Sequence, residues 1–119
     1  MAFSKRVREK VYQKYNGHCA YCGCELQYKD MQVDHIIPQY DRIYKGEAVM
    51  NDFDNLNPAC RACNFYKGTK TIERFRKDIT ETLVPNLKKN FNYRLAKKYG
   101  FVAENEADSV TFYYERQEG

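Results

Sequence analysis

Two C-x-x-C pairs, Cys19-Ala-Tyr-Cys22 and Cys60-Arg-Ala-Cys63, carry four thiols at a spacing typical of metal binding. Zinc takes four thiolates as a closed tetrahedron with no open coordination position, so a metal held here would be structural. Cys24, one residue past Gly23, falls outside the pattern, and His18 beside Cys19 reads as a polar neighbour and not a ligand. The stretch between the pairs is longer than the loop of a DNA-reading zinc finger, so something else must fold inside it. Within and just after it stand Asp34-His35, Asn55 and Asn64. An imidazole can be neutral at physiological pH and accept a proton. A carboxylate and a side-chain amide offer hard oxygen ligands, which suit Mg²⁺ or Mn²⁺ better than softer metals.

These residues need a scaffold, and 119 residues make one ordinary domain. A domain of this size buries a modest core, which a structural metal would reinforce. The N-terminus, MAFSKRVREK, is basic and lacks the apolar run of a secretory signal. No stretch approaches the roughly 18 apolar residues of a membrane helix. A soluble, cytoplasmic protein with no membrane partner is expected, and there cysteines stay reduced. The net charge of +4 is unevenly spread: residues 101–119 hold Arg116 against five acidic residues, which leaves +8 over residues 1–100. A body so charged favours a polyanionic partner through phosphate contacts and counterion release.

Ser4 is placed to cap a helix over 5–15, with Val7, Val11 and Tyr15 at spacing four, and Asn16-Gly17 ends it. Cys19 to Gly23 reads as a tight knuckle. Met31 to Ile37 is rich in strand formers and is stopped by Pro38. Residues 38–54 carry turn markers, among them Gln39, Asp41, Lys45, Gly46, Asn51 and Asp52. A helix from the second cysteine pair runs to about Lys67 and breaks at Gly68. Thr71 caps another to Asp78, and a longer one fits 86–99, with Leu87, Phe91, Leu95 and Tyr99 as a packing stripe. Val110 to Glu115 alternates as a half-buried strand would.

The order Asp34-His35-Ile-Ile-Pro38, Asp54-Asn55-Leu56, Cys63-Asn64 and Lys67-Gly68, bracketed by two knuckles, resembles the HNH endonucleases over roughly residues 3–70. The resemblance implies an α+β protein. Its ββα-metal (His-Me finger) core would be stapled by a four-cysteine zinc site and followed by a helical C-terminal extension ending in a strand. Residues 1–70 would form the nuclease core and 71–119 an accessory region in the same compact unit. By position, Asp34 and Asn64 would hold the catalytic Mg²⁺ or Mn²⁺, His35 would be the general base, and Asn55 would pin the histidine strand. Asparagine at the third motif position makes this an H-N-N variant.

In a regular strand Asp34 and His35 would face opposite ways, so an irregular strand is expected there. On a helix adjacent residues diverge by about 100°, so Cys63 can face the knuckles while Asn64 faces a substrate groove. Arg61, Lys67 and Lys70 lie on or beside that helix and are candidates for DNA phosphate contacts. The function implied is a DNA endonuclease that nicks one strand, of phage or bacterial type, acting singly, as a dimer or with a phage packaging partner. Two alternatives stay open: an inactive HNH-shaped zinc module that binds DNA, and a zinc-stapled domain that binds a protein.

Overall fold

The computed structural model describes residues 3–38, 51–105, 107 and 109–117. The turn markers Gln39, Asp41, Lys45 and Gly46 lie outside the described residues, as do the acidic Glu106, Asp108 and Glu118. The chain falls into two compact units, Met1–Ile72 with Thr111–Gly119, and Glu73–Val110.

The first unit opens with helix α1, Lys5–Gln13, where Ser4 Oγ accepts from Val7 N at 3.2 Å. Its apolar spacing buries Val11, and Tyr15 just beyond it, in the core. The helix ends earlier than the spacing predicts, because Asn16 and Gly17 both take positive φ and turn the chain toward the first cysteine pair. The knuckle closes through Cys19 N–H donating to Cys24 O at 2.8 Å. Gly23 sits at φ +82°, and a Cβ there would come within 2.7 Å of the Tyr113 ring, so both backbone and packing demand glycine.

Strand β1, Gln32–His35, pairs antiparallel with β2, Leu56–Ala59, with Asp34 opposite Asn57 and His35 opposite Leu56. β2 is buried throughout. A proline in its middle hid it from the sequence pattern, since Pro58 has no N–H to give. Its carbonyl instead accepts from Ala20 N at 2.8 Å and ties the strand to the knuckle. The expected distortion of the histidine strand is corrected in position: the ladder is regular through His35, and the chain bends at Ile36 and Ile37. Helix α2, Arg61–Lys67, follows at once, with Cys60 Sγ accepting from Cys63 N at 3.4 Å and Gly68 ending it. It packs on β1, and α1 packs on β2. Two strands and α2 make the ββα core.

The strand expected at Val110 to Glu115 is not formed. Phe112 is buried, and the chain enters helix α6, Tyr113–Gln117 (α3 to α5 lie in the second unit). Glu115 decides this: its carboxylate reaches back to accept from Phe112 N at 2.8 Å, as residues in a first helical turn do. Tyr113 N and Tyr114 N donate to Tyr21 O and Ala20 O at 3.0 and 2.8 Å, fastening the segment to the knuckle. The Phe112 and Tyr114 rings meet the Tyr21 ring edge-on.

Within the second unit, α3, Ile72–Asp78, starts at the boundary and passes through a wide turn, Ile79–Leu83, into α4, Val84–Lys89. The helix expected over 86–99 is two helices. Asn90 leaves the helical region and its Oδ1 caps Tyr93 N at 3.0 Å, starting α5, Phe91–Lys98. The stripe read as packing is also corrected: Leu87, Phe91, Leu95 and Tyr99 are 48, 65, 41 and 74% exposed. The unit has little interior to offer them, since Phe75 is its one buried hydrophobic side chain among the described residues. Lys88, Tyr93 and Lys97 converge on Glu104 at its surface. No helix among the described residues is long and apolar enough to cross a membrane.

Phe112→Ala should destabilise the first unit by about 3 kcal/mol, the usual cost of emptying an aromatic site in a core. Equilibrium denaturation in urea, followed by tyrosine fluorescence, measures it.

Candidate active site and metal centre

The four cysteines of the two pairs converge. Cys19, Cys22, Cys60 and Cys63 place their sulfurs within 4.8 Å of one another, with Cys22 and Cys60 Sγ 3.9 Å apart. Zinc–sulfur bonds of about 2.3 Å in a tetrahedron require sulfurs about 3.8 Å apart, so the donor set fits Zn²⁺ with little adjustment. A hydrogen bond from the Cys63 thiol, helped by backbone amides, pulls Cys19 down to about 4, and the same sharing with burial pushes Cys63 up. Burial first, and Cys22 beside it, push Cys24 up to about 12, and it stays a thiol outside the group. His18 is no ligand: its Nδ1 meets Tyr15 O at 3.1 Å and its ring stacks on Tyr113.

Asp34, His35 and Asn64 border one cleft of about 190 Å³, together with Val33, Pro38 and Gly68. Strand alternation buries Asp34, whose carboxylate accepts from the Tyr21 hydroxyl. It also meets Lys67 Nζ, at 3.1 Å from Oδ2 and 3.4 Å from Oδ1, while Nζ donates to His35 O at 2.8 Å. Lys67 is 0% exposed. The expectation of a DNA phosphate contact there is corrected: three residues beyond Asn64 on α2, Lys67 turns inward and its charge is neutralised by Asp34. Burial pushes the Asp34 carboxyl up from its ordinary range, against the opposing pull of Lys67 and Tyr21. Burial and the Asp34 charge push the Tyr21 hydroxyl up, so it stays a donor. The Asp34 carboxylate, whose oxygens can each accept more than one bond, borders the cleft that Asn64 shares. That donor set fits a hard divalent cation.

His35 ends β1, with its Nε2 3.0 Å from Asn51 Oδ1 and the Phe3 ring 5.7 Å from its own. An amide oxygen only accepts, so this contact suits the tautomer with the proton on Nε2 and an acceptor lone pair on Nδ1. Asn55 brackets the bend beyond the histidine, its Oδ1 accepting from Ile37 N at 2.8 Å and its Nδ2 donating to Ile37 O at 3.2 Å. Arg61 is exposed at the start of α2. Lys70 is half-buried, with Nζ on Tyr66 O at 2.6 Å and over the Tyr66 ring.

Sequence reasoning missed three contributions here. Lys67 was legible in part, because positions i and i+3 of a helix share a face, and Asn64 was already assigned to the cleft. Tyr21 sits inside a C-x-x-C, where nothing in the pattern separates a spacer from a functional hydroxyl. Asn51 resembled any other turn residue.

A short antiparallel pair with a histidine at its end, a following helix and a four-cysteine cluster that could hold a metal define a fold of the ββα-metal type. Residues 19–70 match the family model described as HNH endonuclease. Over 61 residues the chain is 34% identical to the CRISPR-associated endonuclease Cas9 of Corynebacterium diphtheriae, a match covering 51% of this chain and 5% of that protein. The crystal structure of the Type II-C Cas9 enzyme from Actinomyces naeslundii superimposes with a TM-score of 0.53 at 21% identity, over 82% of this chain and 11% of that one. The chain thus spans a small fraction of the proteins it matches.

The purified protein should carry one zinc per chain by elemental analysis. Cys63→Ser or a strong chelator should lower its melting temperature and erase the near-ultraviolet signal of the rings packed on the knuckle. Lys67→Met should cost about 3–5 kcal/mol, because it strands a buried carboxylate. Adding Asp34→Asn should recover part of that loss in the same denaturation measurement.

Proposed function

We propose that the chain is a metal-dependent DNA endonuclease that hydrolyses phosphodiester bonds, with His35 as general base. The observation that carries this reading is the single cleft shared by the imidazole-bearing His35, the Asp34 carboxylate and the Asn64 amide. In-line hydrolysis needs a proton acceptor beside the attacking water and positive charge where the phosphoryl and leaving oxygens gain negative charge. In the tautomer whose Nε2 donates to Asn51, His35 accepts the water's proton at Nδ1. Asp34 and Asn64 would hold one Mg²⁺ or Mn²⁺, which would supply Lewis-acid stabilisation of those oxygens when bound.

Asn55 acts on geometry, fixing the backbone at Ile37 so that the ring at the strand end keeps one position. Arg61, exposed on the helix that bears Asn64, meets a phosphate of the substrate strand. Breaking the phosphorus bond to the 3′ oxygen leaves a 5′-phosphate and a 3′-hydroxyl. One such site cuts one strand per encounter, and a double-strand break would take two copies or two visits.

Supercoiled plasmid incubated with the zinc-loaded protein and Mg²⁺ or Mn²⁺ should relax to the nicked form. His35→Ala should slow this at least about a hundredfold, the lower range for removing a general base. A mobility shift with no nicking would mark a DNA-binding module instead. Equal nicking by parent and variant would remove His35 from the chemistry.

A further inference from the structure

A second hollow in the first unit, about 480 Å³, is used by nothing above. It lies between α1 and the turn that leads into β2, with Val7 and Leu56 as its apolar walls and Lys10, Lys14, Asn51 and Phe53 around them. Asn51 lines this hollow, and its Oδ1 lies 3.0 Å from Nε2 of His35, which lines the cleft. The hollow is therefore one side chain away from the proposed base.

Its chemistry is specific. Lys14 has a structural task, with Nζ on Phe53 O at 3.1 Å and on Leu56 O at 2.7 Å, and it stands 4.8 Å from the centre of the Phe53 ring. That contact fixes the ring, which is nonetheless 39% exposed. Lys10 is exposed, and no hydrogen bond or ion pair holds its ammonium among the described residues. A fixed, partly open aromatic ring beside an uncommitted cation is the combination that takes a nucleobase and its phosphate. A purely apolar ligand would leave Lys10 without a role.

We propose that this hollow is a subsite for one unpaired nucleotide of the substrate strand next to the scissile phosphate, with the base stacked on Phe53 and a phosphate on Lys10. The inference rests on the nuclease reading for the identity of the strand, and adds to it a demand on the substrate. A base reaches the Phe53 ring only when it has left its own stack, so single-stranded or locally opened DNA fits the site better than intact duplex.

The test is a binding measurement that needs no cleavage. Fluorescence anisotropy compares a labelled oligothymidylate with an abasic oligonucleotide of equal length and charge, without added Mg²⁺ or Mn²⁺, on the zinc-loaded protein. The parent should bind the thymidylate about tenfold more tightly, the value of one base–aromatic stack. Phe53→Leu, which keeps the apolar volume and removes the π face, should bind both alike. Phe53→Trp should restore the preference, and Lys10→Ala should weaken both oligonucleotides together. A parent that binds the two equally, or a leucine variant that keeps the preference, overturns the subsite. With this preference intact, absence of cleavage of both supercoiled plasmid and the single-stranded oligonucleotide in Mg²⁺ or Mn²⁺ would overturn the nuclease reading and leave the hollow as a nucleotide-binding site.

Discussion

The ammonium of Lys67 sits where water does not reach, and its neutralisation by Asp34 governs how α2 lies on β1. Removing either charge would leave the other buried alone, an arrangement far costlier than the pair itself is stabilising. The pair is completed by His35 O, which accepts from Lys67, and the Tyr21 hydroxyl, which donates to Asp34, so that each member of the pair has a further partner. At the opposite end of the same helix, Cys60 and Cys63 belong to the sulfur cluster. Asn64 thus lies between two anchors, one of clustered cysteines and one of opposite charges. A seven-residue helix has little stability of its own, and clamping both ends is what gives its one cleft-facing amide a fixed position.

Tyr21 connects this clamp to the rest of the first unit. Its hydroxyl binds Asp34 while its ring takes Phe112 and Tyr114 edge-on, and its backbone carbonyl accepts from Tyr113. The returning C-terminal segment therefore rests on a residue that also orders the carboxylate at the cleft. Gly23 allows this closeness, because any side chain there would collide with the Tyr113 ring.

Around His35 a single turn supplies both supports. Asn51 and Asn55, four residues apart, hold the imidazole and the backbone just beyond it. The ring and the bend are fixed from the same side of the chain, which limits the reorganisation needed when a phosphate arrives. The second unit contributes none of these residues. Among its described residues it combines an exposed apolar stripe with one buried phenylalanine, unlike the packed core of the first unit.

The chemistry of this protein was written locally. Cysteine spacing marked the sulfur cluster, Ser4 marked a helix start, and Asp34-His35 with Asn64 marked residues that border one cleft, because each depends on residue type and short-range spacing. What the tertiary structure alone decided were facts of burial. Lys67 looked like a phosphate contact until the fold enclosed it against Asp34. Leu56–Ala59 hid as a strand behind its proline, and the Leu87–Tyr99 stripe read as core until Asn90 broke its helix. Hydrophobic periodicity tells which side of an element is apolar. Whether anything covers that side, and whether a charge meets water or another charge, is set by elements far away in sequence.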